Sequence, residues 1–392
     1  MLPELTQLDS LRVFMTCDAT SALWHHALDL AQGLRAYETS TTLCVLGAAP
    51  GPDQQGAARR VPGLKLNHLE LSRGWATASP HQVLEAAERV AAMARAEGAR
   101  LVHLHSPLLA SGPAFVAPVV TACHECIPTW CHSVRSQPFD HALDWHKNDM
   151  ATGLLRSDTV IAPTGAFAKV LTEVYGLPKP PMVVHSGRRP STRESLPEGR
   201  GIPATSFVFT AAQLWDEGKD LRTLDEAAAN VKLPVYVAGS ISGLAGETPI
   251  APNPITPNHV HFLGDLSDGH LAEWLTAKPI FVSTACYEPF GMIVLEAAES
   301  GCPLILSDIP TFRELWEGAA EFVPCGDSGA TAAAIEAVAG DSALRARLAS
   351  AARRRARRYT AEVMAAKVRA IYGGLLRRPP AARQRAGSEV AA

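Results

Sequence analysis

A chain of 392 residues exceeds what one hydrophobic core usually organises, so two domains of ordinary size are expected. Hydrophobic residues make up 47% of it and charged residues 19%, which excludes a disordered chain. A formal charge of −3 gives no global attraction to nucleic acid, so no nucleic-acid partner is expected. No apolar run reaches the roughly 18 residues of a membrane span. The opening MLPELTQLDSLR carries Glu4 and Asp9 where a secretory leader would be basic and then apolar, and a cytoplasmic location is the expectation.

In the first half, strands are predicted at LRVFMT (11–16), TTLCVL (41–46), LKLNHLEL (64–71), RLVHLH (100–105), PVVTAC (118–123), DTVIAP (158–163) and PMVVH (181–185). Ala/Leu-rich helical stretches such as SALWHHALDLAQGLRAY lie between most of them. The polar, Pro/Gly-rich segment 185–206 then reads as a linker. A second series follows: SFVFTAA (206–212), LPVYVAG (233–239), HVHFLG (259–264), KPIFVST (278–284), PLILS (303–307) and AEFVP (320–324). Strands alternating with helices predict an α/β protein of two Rossmann-like, doubly wound parallel sheets, with a cleft between their carboxyl ends. The expected divisions are an N-terminal domain over 1–190, a C-terminal domain over 191–360, a helix over 361–376 that crosses back, and a disordered tail over 377–392.

The eight cysteines are scattered, several inside apolar runs, and all are expected as reduced thiols. In CHECIPTWCH, Cys123, Cys126, Cys131 and His132 could ligate zinc. Cys123 ends a strand and no second ligand pair of finger-like spacing follows, so free thiols are the better reading and no metal is expected. His103 and His105 alternate on a strand, His105 being the one nearer a cleft, while His25 and His26 are expected to face neighbours or solvent. The arginines of RRRARR (353–358) read as a solvated helix, with contact to an anionic membrane or polyanion as the minority reading.

The stretch ACYEPFGMIVLEAAESGCP (285–303) leaves a strand, turns at Pro-Phe-Gly, and enters a helix that closes at Gly301. Gly291 lacks a Cβ at the helix start, so the amides of Phe290, Gly291, Met292 and Ile293 can approach an anion held by the positive helix end. That arrangement suits a phosphate. Glu288 at the mouth and Glu296 further along would each accept from polyol hydroxyls, since a carboxylate beside a pyrophosphate is repelled. Taken alone, the same residues also read as a capped surface helix with solvated glutamates.

The pattern EPFGMIVLE followed by EAAESGCPLILSDIPTFREL resembles the donor-site signature of family 4 glycosyltransferases, which have the two-domain GT-B fold. The likeness extends to about residue 376 and includes MTCDATSALWHHALDLAQGL, VHLHSP, TACHECIP, AAQLWDEGKDL, PVYVAGS and HFLGDLSD. The resemblance implies that Glu296 holds the ribose of a nucleotide-diphosphate sugar. It gives the donor sugar to Glu288 with the amides of Phe290 and Gly291, and the diphosphate to Lys219, with Met292 in the same helix turn. It puts Leu266 and Asp268 beside the base and His124 near the transferred sugar. It implies a retaining hexosyl transfer to an unknown acceptor, saccharide, lipid-linked or small, with a uridine or guanosine diphosphate sugar as co-substrate and no cofactor. No Asp-x-Asp pair occurs, which fits a metal-free reaction.

Three positions depart from that family's pattern. Ser21-Ala22 stand where two glycines are usual, Gln213 where an arginine is usual, and Ser186-Gly187 where Asn-Gly is common. Losing the arginine removes a bidentate phosphate contact that an amide cannot replace. The alternative function is therefore a degenerate, non-catalytic GT-B protein that binds sugar nucleotide or serves as a partner subunit. A nicotinamide oxidoreductase is disfavoured because no Gly-x-Gly-x-x-Gly follows a strand, and a sugar-nucleotide epimerase because too few acid/base residues can be placed.

Overall fold

The structure, a computed structural model, describes residues 11–19, 23–71, 79–135, 141–189, 201–241 and 258–377. Ser21 and Ala22, the heart of the predicted linker (190–200) and the tail beyond 377 lie outside them. The chain divides into two units. Unit 1 comprises Met1–Thr129, Gln137–Arg188 and Thr360–Ala392; unit 2 comprises Trp130–Ser136 and Arg189–Tyr359.

Unit 1 holds β1 (Leu11–Asp18), β2 (Thr39–Leu46), β3 (Leu64–Leu69), β4 (Leu101–Leu104), β5 (Val119–Ala122), β6 (Thr159–Ala162) and β7 (Met182–Val183). They form one parallel sheet in the order β3-β2-β1-β4-β5-β6-β7. Alternate side chains of β1 serve opposite faces: Leu11, Val13, Met15 and Cys17 enter one core and Phe14 the other. Both faces are buried, as a parallel sheet requires. The helix Ala361–Leu376 lies in this unit, where Met364, Ala365, Val368 and Tyr372 share the core of the helix Leu23–Leu34.

Unit 2 contains β8 (Val208–Ala211), β9 (Val235–Ala238), β10 (His261–Phe262), β11 (Ile280–Ser283), β12 (Leu304–Ser307) and β13 (Glu321–Val323), in the parallel order β10-β9-β8-β11-β12-β13. Phe209 and Phe281 pack on one face, Val208, Ile280 and Val282 on the other. In each unit the chain winds outward from the middle of the sheet in both directions. The reversal falls between β1 and β4 in unit 1, and between β8 and β11 in unit 2. Ligands of open α/β sheets bind beside such a reversal, at the carboxyl ends of the strands.

Among the described residues no helix is long and apolar enough to cross a membrane. Arg355 of the basic run is anchored, its guanidinium donating to the carbonyls of Leu315 and Glu317, whereas Arg353, Arg354, Arg357 and Arg358 are exposed. The expectation of eight reduced thiols is corrected at one pair: Cys286 and Cys325 form a disulfide. The loops after β11 and β13 bring their Cα atoms to 5.8 Å, inside the bonding range, a proximity that sequence spacing does not reveal.

Gly187, one of the residues set apart in the sequence, lies where the chain closes on the start of the helix Ala361–Leu376. A Cβ there would stand 2.1 Å from the Thr360 carbonyl oxygen. Arg188 and Thr360 form a parallel bridge at that point, and Ala361 N donates to Arg188 O at 3.1 Å. Backbone cannot yield as a side chain can, so Gly187→Ala is expected to destabilise by about 1–3 kcal/mol. Gly340→Ala, with open space around it, should be neutral. Thermal or denaturant melting checks this; equal midpoints for the two variants would refute the close approach.

Candidate active site

At the reversal of unit 2, two loops leave adjacent strands and are stitched together by backbone hydrogen bonds. The loop after β8 ends in a short 3-10 turn, Glu217–Lys219, capped by Asp216, whose carboxylate accepts from Gly218 N at 2.8 Å. Gly218 O accepts from Cys286 N (2.8 Å) and Tyr287 N (3.1 Å) of the loop after β11. The Thr284 hydroxyl donates to Asp220 O at 2.8 Å. Asp220 takes a left-handed conformation at φ 48° and caps the following helix, accepting from Thr223.

This stitching brings Lys219 against Glu288, with Nζ donating to Oε2 at 2.9 Å. The two side chains are only 13% and 17% exposed. With Thr210, Ser283, Thr284 and Ile293 they border a small cavity. Gly291 opens the helix Met292–Ser300 at φ 84°, a region where an L side chain is strained. A Cβ at Gly291 would also press Phe312, Glu288 and Val294 at 3.2–3.3 Å. The first-turn amides of such a helix have no intrahelical partner and carry its positive end.

Val294, Leu295, Ala297 and Ala298 turn the helix into the core, while Glu296 is half-buried, three residues on from the cavity-lining Ile293 and therefore on the same face. Phe290 is buried and packs edge-on to Tyr359. Met292 packs partly on the core, as does Leu266, while Asp268 is exposed at the start of the helix Asp268–Thr276. Gln213 is exposed. The structure thus gathers Lys219, Glu288, Gly291 and Glu296 about one reversal, and Ser21 and Ala22 fall outside the described residues.

Sequence reasoning missed two clamps on the Lys219 turn. Trp130 Nε1 donates to Asp216 at 2.7 Å, and Arg135 meets the Glu217 carboxylate at 3.1–3.2 Å. Nothing in local spacing couples residues some 80 positions apart.

His124 belongs to unit 1, two residues beyond β5. It sits among other histidines: its ring centroid is 4.6 Å from that of His26 and 5.1 Å from that of His105. His26, expected against neighbours or solvent, is 7% exposed, and His105 is 6% exposed. His103 Nδ1 meets the Tyr372 hydroxyl at 2.5 Å. Burial holds the imidazoles neutral: His103 is pushed down to about 3 and His124 to about 4, and His26 and His105 fall well below the ordinary range. Burial is the main cause for each; neighbouring imidazoles add to it for His26, His103 and His105, and for His26 so does the Arg188 guanidinium.

The family described as Glycosyltransferase Family 4 matches residues 23–191, and that described as Glycosyl transferases group 1 matches residues 193–355. A phosphatidyl-myo-inositol mannosyltransferase of Mycobacterium leprae is 31% identical over 117 residues, which are 29% of this chain and 31% of that protein. The chain thus spans about a third of that curated relative. A glycogen synthase of Mycobacterium tuberculosis is 25% identical over 311 residues, 72% of this chain and 70% of that protein. Among solved structures, Anabaena HepE in complex with UDP and glucose superposes with a TM-score of 0.71 at 19% identity, covering 93% of this chain and 100% of that one. At that identity the likeness shows the fold alone.

The buried histidines generate a pH prediction. Their folded-state pKa values lie below the unfolded value of about 6.5, so the unfolded chain binds protons that the folded chain refuses. Stability is complete above about pH 6.5 and falls as pH drops towards 4, by up to about 1.4 kcal/mol per pH unit for each histidine kept neutral. Thermal melts at pH 7.5, 6.0 and 5.0 should show a steep fall in midpoint; a flat profile would mean that these rings titrate normally.

Proposed function

The chain belongs to the family 4 glycosyltransferases of GT-B fold, and we propose that it moves a hexosyl group from a nucleotide-diphosphate sugar to an acceptor hydroxyl, with retention of anomeric configuration and no metal at the diphosphate. The observation that carries this reading is the meeting of the Lys219 ammonium, the Glu288 carboxylate and the Gly291 helix end at one sheet reversal.

In this reading the diphosphate takes over Lys219 as its counter-ion, and the first-turn amides after Gly291 donate to its remaining oxygens. As the bond to the sugar breaks, negative charge gathers on the departing phosphate, where ammonium and amides stabilise it most. Glu288, released from Lys219, accepts hydroxyls of the sugar, and Glu296 those of the ribose. The departing phosphate receives the proton of the acceptor hydroxyl, so no separate base is needed. His124 is assigned a contact to the transferred sugar. The UDP and glucose bound by HepE, and the mannosyl transfer named for the Mycobacterium leprae relative, support a nucleotide-diphosphate hexose as the donor class.

A second reading, a nucleotide-sugar-binding subunit without turnover, is favoured by one observation: position 213, where the family has a cation for the diphosphate, is an exposed glutamine. A panel of UDP- and GDP-hexoses assayed for both binding and hydrolysis separates the readings. We expect turnover with at least one donor, a loss of about a hundredfold in turnover for Lys219→Ala, and weaker nucleotide binding for Glu296→Ala. Binding without turnover would support the second reading; neither binding nor turnover would overturn both.

A further inference from the structure

The sheet reversal of unit 1 carries a different chemistry. β1, β4 and β5 are neighbours, and the segments leaving their carboxyl ends converge. They deliver His26 from the first turn of the helix Leu23–Leu34, His105 immediately after β4, and His124 two residues after β5. One ring nitrogen from each lies within 4.8 Å of those of the other two. The remaining pair of rings, His26 and His105, stands at 5.3 Å between centroids.

These nitrogens are orphaned. Among the described residues, Nδ1 of His26, both ring nitrogens of His105 and Nε2 of His124 are buried without a hydrogen-bond partner. Each such group forfeits the hydrogen bonds it makes in water, at a cost of about 1–3 kcal/mol, and three converging on one point call for a shared partner. An imidazole carries one lone-pair nitrogen beside its one N–H, so a partner that all three rings share through those lone pairs is an acceptor of electron pairs.

We propose that His26, His105 and His124 form a transition-metal site for a zinc-class divalent cation (Zn²⁺, Co²⁺, Ni²⁺ or Cu²⁺). An all-imidazole set selects these over Mg²⁺ and Ca²⁺, which need oxygen ligands. With metal–nitrogen distances of about 2.0–2.1 Å, tetrahedral ligation places the nitrogens about 3.3 Å apart. Rotation of the rings about χ1 and χ2 closes the remaining gap. Asp29, one turn beyond His26 and 5% exposed, is engaged by Arg188 at 3.7 Å. The fourth position is left to water or an anion. Such an ion would tie the exits of three adjacent strands together. The inference is separate from the donor reading, whose Lys219, Glu288, Gly291 and Glu296 belong to unit 2; His124 is common to both, so the test turns on His26 and His105.

The test uses the full chain freed of metal by a chelator. Calorimetric titration with ZnCl₂ should give one ion per chain. Titration with CoCl₂ should give the intense visible bands of four- or five-coordinate cobalt, and Cu²⁺ should show nitrogen superhyperfine coupling in electron paramagnetic resonance. The double variant His26→Gln/His105→Gln should bind Zn²⁺ at least about tenfold more weakly. If that variant fails to fold, the wild-type cobalt and copper spectra decide alone. A weak octahedral cobalt spectrum, an absence of stoichiometric zinc binding, or unchanged affinity in a folded variant would overturn the site; the last would point to surface groups such as His141 and Asp144, 3.0 Å apart.

Discussion

The largely buried ion pair between Lys219 and Glu288 is the interaction on which the proposed donor site depends. Removing two charges from water costs as much as their attraction returns, so such a pair is a poor source of stability. The backbone holds it in place. Gly218 O accepts two amide hydrogen bonds from the opposite loop, and the Thr284 hydroxyl donates to the carbonyl that follows Lys219. With the loops fixed independently of the charges, the ammonium can exchange one anionic partner for another without the site rearranging. That is the pre-organisation a leaving phosphate requires.

The same logic explains Gly291. Its positive φ strains any L side chain, and a Cβ there would press Phe312, Glu288 and Val294. The glycine therefore starts the helix at an angle that other residues take only with strain. The apolar residues of Met292–Ser300 bury one face of that helix in the core, which fixes the direction of Glu296 on another. Each unit places its chemistry-bearing side chains at the reversal of its own sheet. Unit 2 gathers opposite charges there, and unit 1 gathers neutral imidazoles.

Much of this was legible in the residues. Strand candidates such as LRVFMT and KPIFVST coincide with β1 and β11 because β-branched and aromatic runs buried on both faces leave a strong local signal. The spacing of Glu288, Gly291 and Glu296 likewise declares a strand, a turn and a helix. What stayed hidden is long-range. The Lys219–Glu288 pair spans 69 positions and the Cys286–Cys325 pair 39, and neither has a local signature. His26 looked like an ordinary helix residue because its partners arrive from β4 and β5, far along the chain. The Trp130 and Arg135 clamps were invisible for the same reason.

In the proposed donor site, unit 2 would recognise a diphosphate through Lys219 and the helix end at Gly291. Calorimetry of the wild-type protein with UDP against UMP, and GDP against GMP, tests it most directly. For the base that binds, the diphosphate should be at least about tenfold tighter, the worth of one charge-assisted contact of about 1.4 kcal/mol. Equal affinity for the two forms of each nucleotide would contradict it.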